Sequence, residues 1–258
     1  MSPAVDAVIF DFFGTLTYTV VHPETHAAVF ARHGLAAHHA AWGDQWAVGP
    51  ADGEEHADHS GSRDAYRRWE LDRLRTRARD CGVPEDKIEL LVGDLDRVHE
   101  RAVGVRYEEV TEVLAELRRR RLILAVCSNW GWDLEAALAE VGLAHAFDVV
   151  ISSARAGARK PHPRIYRTLL TECGLRPAQA LFVGDSWHAD VEGPLAAGMR
   201  AVHLRRTEPA VRGAADPPPL PESVRRIADL RELPGLVDSG DLGGVQRDRT
   251  RAGPEGRG

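Results

Sequence analysis

The sequence predicts a doubly wound α/β domain with a mostly parallel sheet and an inserted helical subdomain. Three observations carry this. Short apolar runs alternate with helix-spaced segments from residue 107 onward, the pattern of strand–helix–strand units. The run at residues 5–11 ends in a carboxylate and a Gly-Thr turn, as a buried strand does. Between residues 20 and 100 the pattern is helical, without convincing strand alternation.

Taken in order, Val5 to Asp11 is the first strand. Thr25 opens a helix over 25–33 that Gly34 closes. Residues 35–62 are rich in Ala, His, Gly and Asp, with Trp42 and Trp46 as packing anchors. A strongly charged helix covers 63–81 and stops at Gly82. Pro84 then starts one or two short helices over 85–103. Residues 18–100 are therefore expected to be an inserted helical subdomain, and residues 1–17 and 101–236 the α/β core.

In the core, Val110, Val113, Leu114 and Leu117 share one face of a helix over 107–120. Arg118 to Arg121 suit the negative end of its dipole better than they suit a nucleic-acid patch. Strands are expected at 122–127, 147–151, 180–183 and 201–204. Helices are expected at 133–141, 161–173 and 191–197, followed by Gly142, Gly174 and Gly198. A proline-bearing loop covers 207–221, a short strand and helix fit 223–236, and residues 237–258 read as a disordered tail.

Composition narrows the function classes. With 258 residues and 43% apolar content, a core domain and a smaller one can both be built. The net charge of −6 and the scattered arginines offer no nucleic-acid footprint. No apolar run is long enough to cross a bilayer, and no signal peptide is expected. Cys81, Cys127 and Cys173 fit neither a disulfide scaffold nor a zinc cluster. Reduced thiols and a cytoplasmic location are expected. Monomer and homodimer are equally compatible. Lys87 and Lys160 are the only lysines, so each stands out.

Four strand ends carry polar residues: Asp11, then Ser128-Asn129, then Arg159-Lys160-Pro161, then Gly184-Asp185 with Asp190 five residues on. In a parallel sheet such ends converge on one edge. Each alone also fits ordinary turn chemistry or helix capping.

The stretch Asp11-Phe12-Phe13-Gly14-Thr15-Leu16 resembles the first motif of the haloacid dehalogenase-like hydrolases. The four strand ends, in order and context, resemble that family's four signatures over residues 5–205. The resemblance implies a Rossmann-like core with a helical cap in the family's first cap position. It also implies a phosphatase acting on a small phosphorylated metabolite through an aspartyl-phosphate. Asp11 would be the nucleophile. Ser128 would bind a phosphoryl oxygen with Asn129 beside it, and Lys160 would offset charge. Mg²⁺ would be held by Asp11, the Phe13 carbonyl and Asp185, with Asp190 behind a water. Trp130, and with it Trp132 and Trp187, could wall a substrate pocket or pack the loops.

Phe13 is the departure, because family phosphatases carry an acid–base Asp there and a phenyl ring can neither give nor take a proton. Three chemistries stay open. A hydrolase could borrow its acid or base from the cap, from His188, from His22 or from water. A 2-haloacid dehalogenase carries an aromatic at this place and needs no acid to expel halide. A catalytically degenerate binding protein would need none of this.

Overall fold

The structure is a computed structural model that describes residues 5–43, 51–98, 102–207, 219–240 and 242. Trp46 and most of the expected tail and proline loop lie outside these. The strands are β1 (Ala7–Phe10), β2 (Thr17–Val21), β3 (Val103–Arg106), β4 (Ile123–Ser128), β5 (Val149–Ser152), β6 (Ala180–Gly184), β7 (Arg200–Leu204) and β8 (Arg225–Ile227). Six of them form one sheet in the order β5-β4-β1-β6-β7-β8. All five pairings in it are parallel. The chain builds outward from β1 through β4 to β5, then returns to β6 and builds outward the other way. The switch point therefore lies at the carboxyl end of β1, where ligands bind in open α/β sheets.

Strand alternation sends side chains to both faces. Val8 and Phe10 of β1 join a cluster with Leu124, Val126, Leu181 and Val183. On that face pack α5 (Val110–Arg119), α6 (Leu134–Glu140) and α10 (Leu233–Ser239). Ala7 and Ile9 turn the other way with Ala125, Cys127 and Phe182. That face is covered by α8 (Pro163–Cys173), through Ile165, Tyr166 and Leu169. Pro163 at the first turn and Gly174 in the left-handed conformation bound α8, as its sequence suggests.

The segment between β2 and β3 has its own apolar cluster. It is built by α1 (His26–Arg32), α2 (Ala36–Trp42), α3 (Arg63–Asp80) and α4 (Glu85–Asp96). Phe30, Trp42, Leu74 and Leu91 lie in it. Thr25 and Ser62 accept the Ala28 and Ala65 amides as N-caps. Trp42 is the anchor its surroundings suggested, and its indole donates to His26 Nδ1 at 3.0 Å. Two histidines of this segment, His26 and His56, are buried.

Three expectations need correction, and one short helix is unanticipated. The helix expected to run to Val103 does not include it: α4 ends at Asp96, residues 99–101 lie outside the described ones, and Val103 opens β3, which pairs antiparallel with β2 as a ribbon where the chain leaves and re-enters the core. A short helix, α7 (Ser153–Ala156), follows β5 and is capped by Ser152. The helix expected from 191 begins at Trp187 as a π-helical turn over Trp187–Glu192 and continues as α9 (Gly193–Ala196). The tail does not begin at 237, because α10 runs to Ser239 and Leu242 is buried in the core cluster.

Candidate active site

Asp11 follows β1 directly, and its amide donates to the Val183 carbonyl of β6. Two donors converge on one of its oxygens. Ser128 Oγ, at the end of β4, donates to Oδ1 at 2.9 Å, and Lys160 Nζ donates to the same atom at 2.7 Å. Among the described residues, no donor reaches Oδ2. Lys160 also donates to Asp190 Oδ1 at 2.6 Å, and the Ser186 amide donates to Asp190 Oδ2 at 2.9 Å. Asp11, Lys160, Ser128 and Asp190 are all buried.

Asp185 completes the cluster. Oxygen atoms of Asp11, Asp185 and Asp190 lie within 4.8 Å of one another. The turn after Asp11 makes room for this. Gly14 has φ +86°, and a Cβ there would lie 2.5 Å from Asp185 Oδ2, so only glycine fits both demands. Gly184 likewise leaves no room for a side chain against Asp190.

The charges do not balance: three carboxylates face one ammonium. Burial, then Asp11 and Asp190, push Asp185 up to about 8, against the pull of Lys160. Burial also raises Asp190. For Lys160, burial alone would lower the ammonium, but Asp11 and Asp190 outweigh it and hold it above its usual range. A hard divalent cation among these oxygens would supply the missing positive charge.

Asn129 acts on the Lys160 backbone. Its Oδ1 accepts the Lys160 amide at 2.6 Å and its Nδ2 donates to the Lys160 carbonyl at 3.0 Å. Trp130 packs its ring edge-on against Phe12, with centroids 5.0 Å apart, on the apolar cluster. Trp132 meets Tyr66 of α3 at 6.1 Å, and Trp187 packs against His203 at 5.3 Å. The Phe13 ring, two residues after Asp11, is 43% exposed. His188 is exposed and held by Glu192 at 2.8 Å, and His22 is exposed as well.

Further residues support the site from behind, and of these Glu109, His203, Arg206 and Arg226 carry no sequence signal. Thr15 Oγ1 donates to Asp185 Oδ1 at 3.3 Å. Arg206 donates to the Thr15 carbonyl at 2.8 Å and is paired with buried Glu109 at 2.6 Å. His203 Nε2 donates to the Asp185 carbonyl at 3.1 Å, while its Nδ1 accepts from Arg226 Nε at 3.0 Å. These two bonds fix one neutral tautomer, and burial lowers the His203 pKa in the same sense.

Residues 5–198 match the family model described as haloacid dehalogenase-like hydrolase. The chain belongs to the haloacid dehalogenase-like hydrolases. It is 33% identical over 174 residues to haloacid dehalogenase-like hydrolase domain-containing protein 3 of Mus musculus, covering 66% of this chain and 68% of that protein. It is 41% identical over 128 residues to a phosphoserine phosphatase of Thermus thermophilus, covering 49% of each. Over the Thermus protein, as over the human relative at 41%, the chain spans half the length or less. Solved structures agree on the fold. The L-2-haloacid dehalogenase of Xanthobacter autotrophicus superposes with a TM-score of 0.53 at 24% identity, over 91% of this chain and 98% of that one. A HAD phosphatase from Thermococcus onnurineus gives 0.51 at 22%, over 90% and 98%. Family and fold thus agree, with a Rossmann-like core. Among the described residues, no helix is long and apolar enough to cross a membrane.

Proposed function

We propose that this hydrolase is a Mg²⁺-dependent phosphatase of small phosphorylated metabolites that works through an aspartyl-phosphate on Asp11, in the cytoplasm. The observation that carries this is the cluster of Asp11, Asp185 and Asp190 around a single lysine. Halide displacement needs one carboxylate, not three. The phosphatase names of relatives matched over part of their length support the same reading.

The three clustered carboxylates fit a hard cation such as Mg²⁺; Asp11 and Asp185 would hold it directly together with the Phe13 carbonyl, as the family resemblance implies, and Asp190 would act through a water. Bound there, the ion would neutralise the phosphoryl group and the attacking carboxylate together. The chain's own residues do the rest. Lys160 and Ser128 hold Oδ1 of Asp11, which leaves Oδ2 to attack phosphorus. As the substrate enters, Ser128 can turn its hydroxyl to a phosphoryl oxygen, and Lys160 offsets charge developing at the reacting centre. Asn129 keeps Lys160 in place. Residues 18–100 act as a cap over this edge of the sheet, excluding water and choosing the substrate.

Phe13 sets the limit. With no carboxyl at that position, the leaving oxygen receives no proton from it and water receives no base. An aromatic residue two positions after the nucleophile leaves one second chemistry open, metal-free 2-haloacid hydrolysis. A panel of phosphate monoesters and 2-haloacids, assayed with Mg²⁺ and with EDTA, separates them. Phosphate release that requires Mg²⁺ is expected. Halide release in EDTA without phosphate release would replace this proposal.

A further inference from the structure

The cap touches the core at a third place besides the two crossings of the β2–β3 ribbon. Residues 51–59, between α2 and α3, lie antiparallel along residues 157–160. The Gly53 amide donates to the Lys160 carbonyl at 3.2 Å, the Arg159 amide to the Glu54 carbonyl at 3.0 Å, and the His56 amide to the Gly157 carbonyl at 2.7 Å. Glu55 and Ala158 form an isolated antiparallel bridge. Side chains reinforce it: Asp52 Oδ1 accepts from Asn129 Nδ2 at 3.1 Å and pairs with Arg159 at 3.3 Å, and Glu55 pairs with Arg164 at 3.1 Å. The fit is close. Gly157 has φ +78°, and a Cβ there would lie 2.8 Å from the Ala57 Cα.

Lys160 is the residue this arrangement acts on. Its carbonyl accepts from one core group, Asn129 Nδ2, and one cap group, the Gly53 amide. The Asn129 amide group that grips Lys160 is itself tied to Asp52. We propose that residues 51–59 are a strap that holds the Lys160 loop from the cap side, with Asp52 as a positioning residue for Lys160 acting through Asn129 and Arg159. The cap then does more than cover the site: the same segment that belongs to it fixes the lysine facing the nucleophile. A loosened strap lets Lys160 leave Asp11 more often without altering the sheet. The catalytic consequence rests on the role of Lys160 proposed above; the placement of Lys160 does not.

The chain's lysine content gives a direct test. Lys160 is buried and the only other lysine, Lys87, is exposed. Acetylation by an N-hydroxysuccinimide ester, read by peptide mass spectrometry, reports Lys160 against Lys87 as internal reference and needs no turnover. With Asp52→Ala, Lys160 labelling relative to Lys87 is expected to rise about tenfold, the scale of one lost charge-assisted bond. Turnover should fall in kcat more than in KM. Gly157→Ala, which drives a methyl into Ala57, should act in the same direction. Asp52→Asn keeps an oxygen for Asn129 and should recover most of the protection. Labelling of Lys160 as slow in both Asp52→Ala and Gly157→Ala as in the native chain would overturn the strap. Loss of protection in Asp52→Asn equal to that in Asp52→Ala would overturn the part assigned to the Asn129 bond.

Discussion

Lys160 Nζ lies 2.7 Å from Asp11 Oδ1, with the lysine side chain 2% exposed and the aspartate 10%. A pair this buried depends on both partners, because removing one leaves an uncompensated buried charge. Lys160→Met keeps the chain length and removes the ammonium. It should cost about 3–5 kcal/mol of stability near neutral pH, the scale for breaking a buried ion pair. Urea unfolding of the metal-free protein checks this. A change within experimental error would mean that the carboxylates do not need the lysine.

The raised acids predict the sign of the pH dependence without metal. Asp185 and Asp190 bind protons more tightly folded than unfolded. The unfolded chain therefore holds fewer protons between the ordinary carboxylate value and the folded one, and stability falls as pH rises through that window. For Asp185 the window runs from 3.8 to about 8. Lys160 is raised as well, from 10.5, so its contribution is fully present throughout that window and is lost only at higher pH. Mg²⁺ should raise the melting temperature more at pH 8 than at pH 5, because the cation competes with protons for the same oxygens. Equal shifts at both would contradict a cation site at these groups.

Gly14 tests the geometry behind Asp185. Gly14→Ala places a methyl 2.5 Å from Asp185 Oδ2 in a backbone region that disfavours side chains. Calorimetry should show Mg²⁺ affinity reduced by at least about tenfold, with a stability loss of about 1–3 kcal/mol. Native affinity would show that Asp185 does not hold the ion.

Phe13 predicts selectivity for the leaving group. Aryl and acyl phosphates leave as weak bases and should react faster than alkyl phosphates. Phe13→Asp supplies the absent acid and base and should raise alkyl phosphate turnover by up to about 10²–10⁴, the usual worth of such a group. If native protein hydrolyses alkyl and aryl esters equally fast, another residue already supplies the proton. His188 would be a poor candidate, since it is exposed and held by Glu192.

Much of this site is legible in the chain. Strands β1, β4 and β6 are buried on both faces, so their apolar runs stand out, and the polar residues at their ends are where Asp11, Ser128 and Asp185 were expected. The β2–β3 ribbon is not legible. Val20, Val21 and Val103 are exposed and lie in a ribbon outside the main sheet, so burial imposes no pattern on them. His203 and Arg226 lie on neighbouring strands far from any motif, and only the folded register brings them to Asp185. Asp52 sits in a polar segment without periodicity. Its importance arises where the chain crosses back onto residues 157–160, a tertiary contact with no local signature. Trp130 is legible only as a choice: beside Ser128 it fits a substrate wall or loop packing, and its ring lies edge-on to Phe12.

The most direct test of the central claim is capture of the phosphoryl group on Asp11. Phe13 offers no base for the second step, so the acyl intermediate should accumulate. Native protein mixed with an acyl phosphate and Mg²⁺, quenched in acid within the first turnover and digested, should yield the peptide bearing Asp11 with one added phosphoryl group. EDTA or Asp11→Asn should abolish it. Phosphate release at an undiminished rate in Asp11→Asn, or a phosphoryl group carried on another residue, would contradict the account.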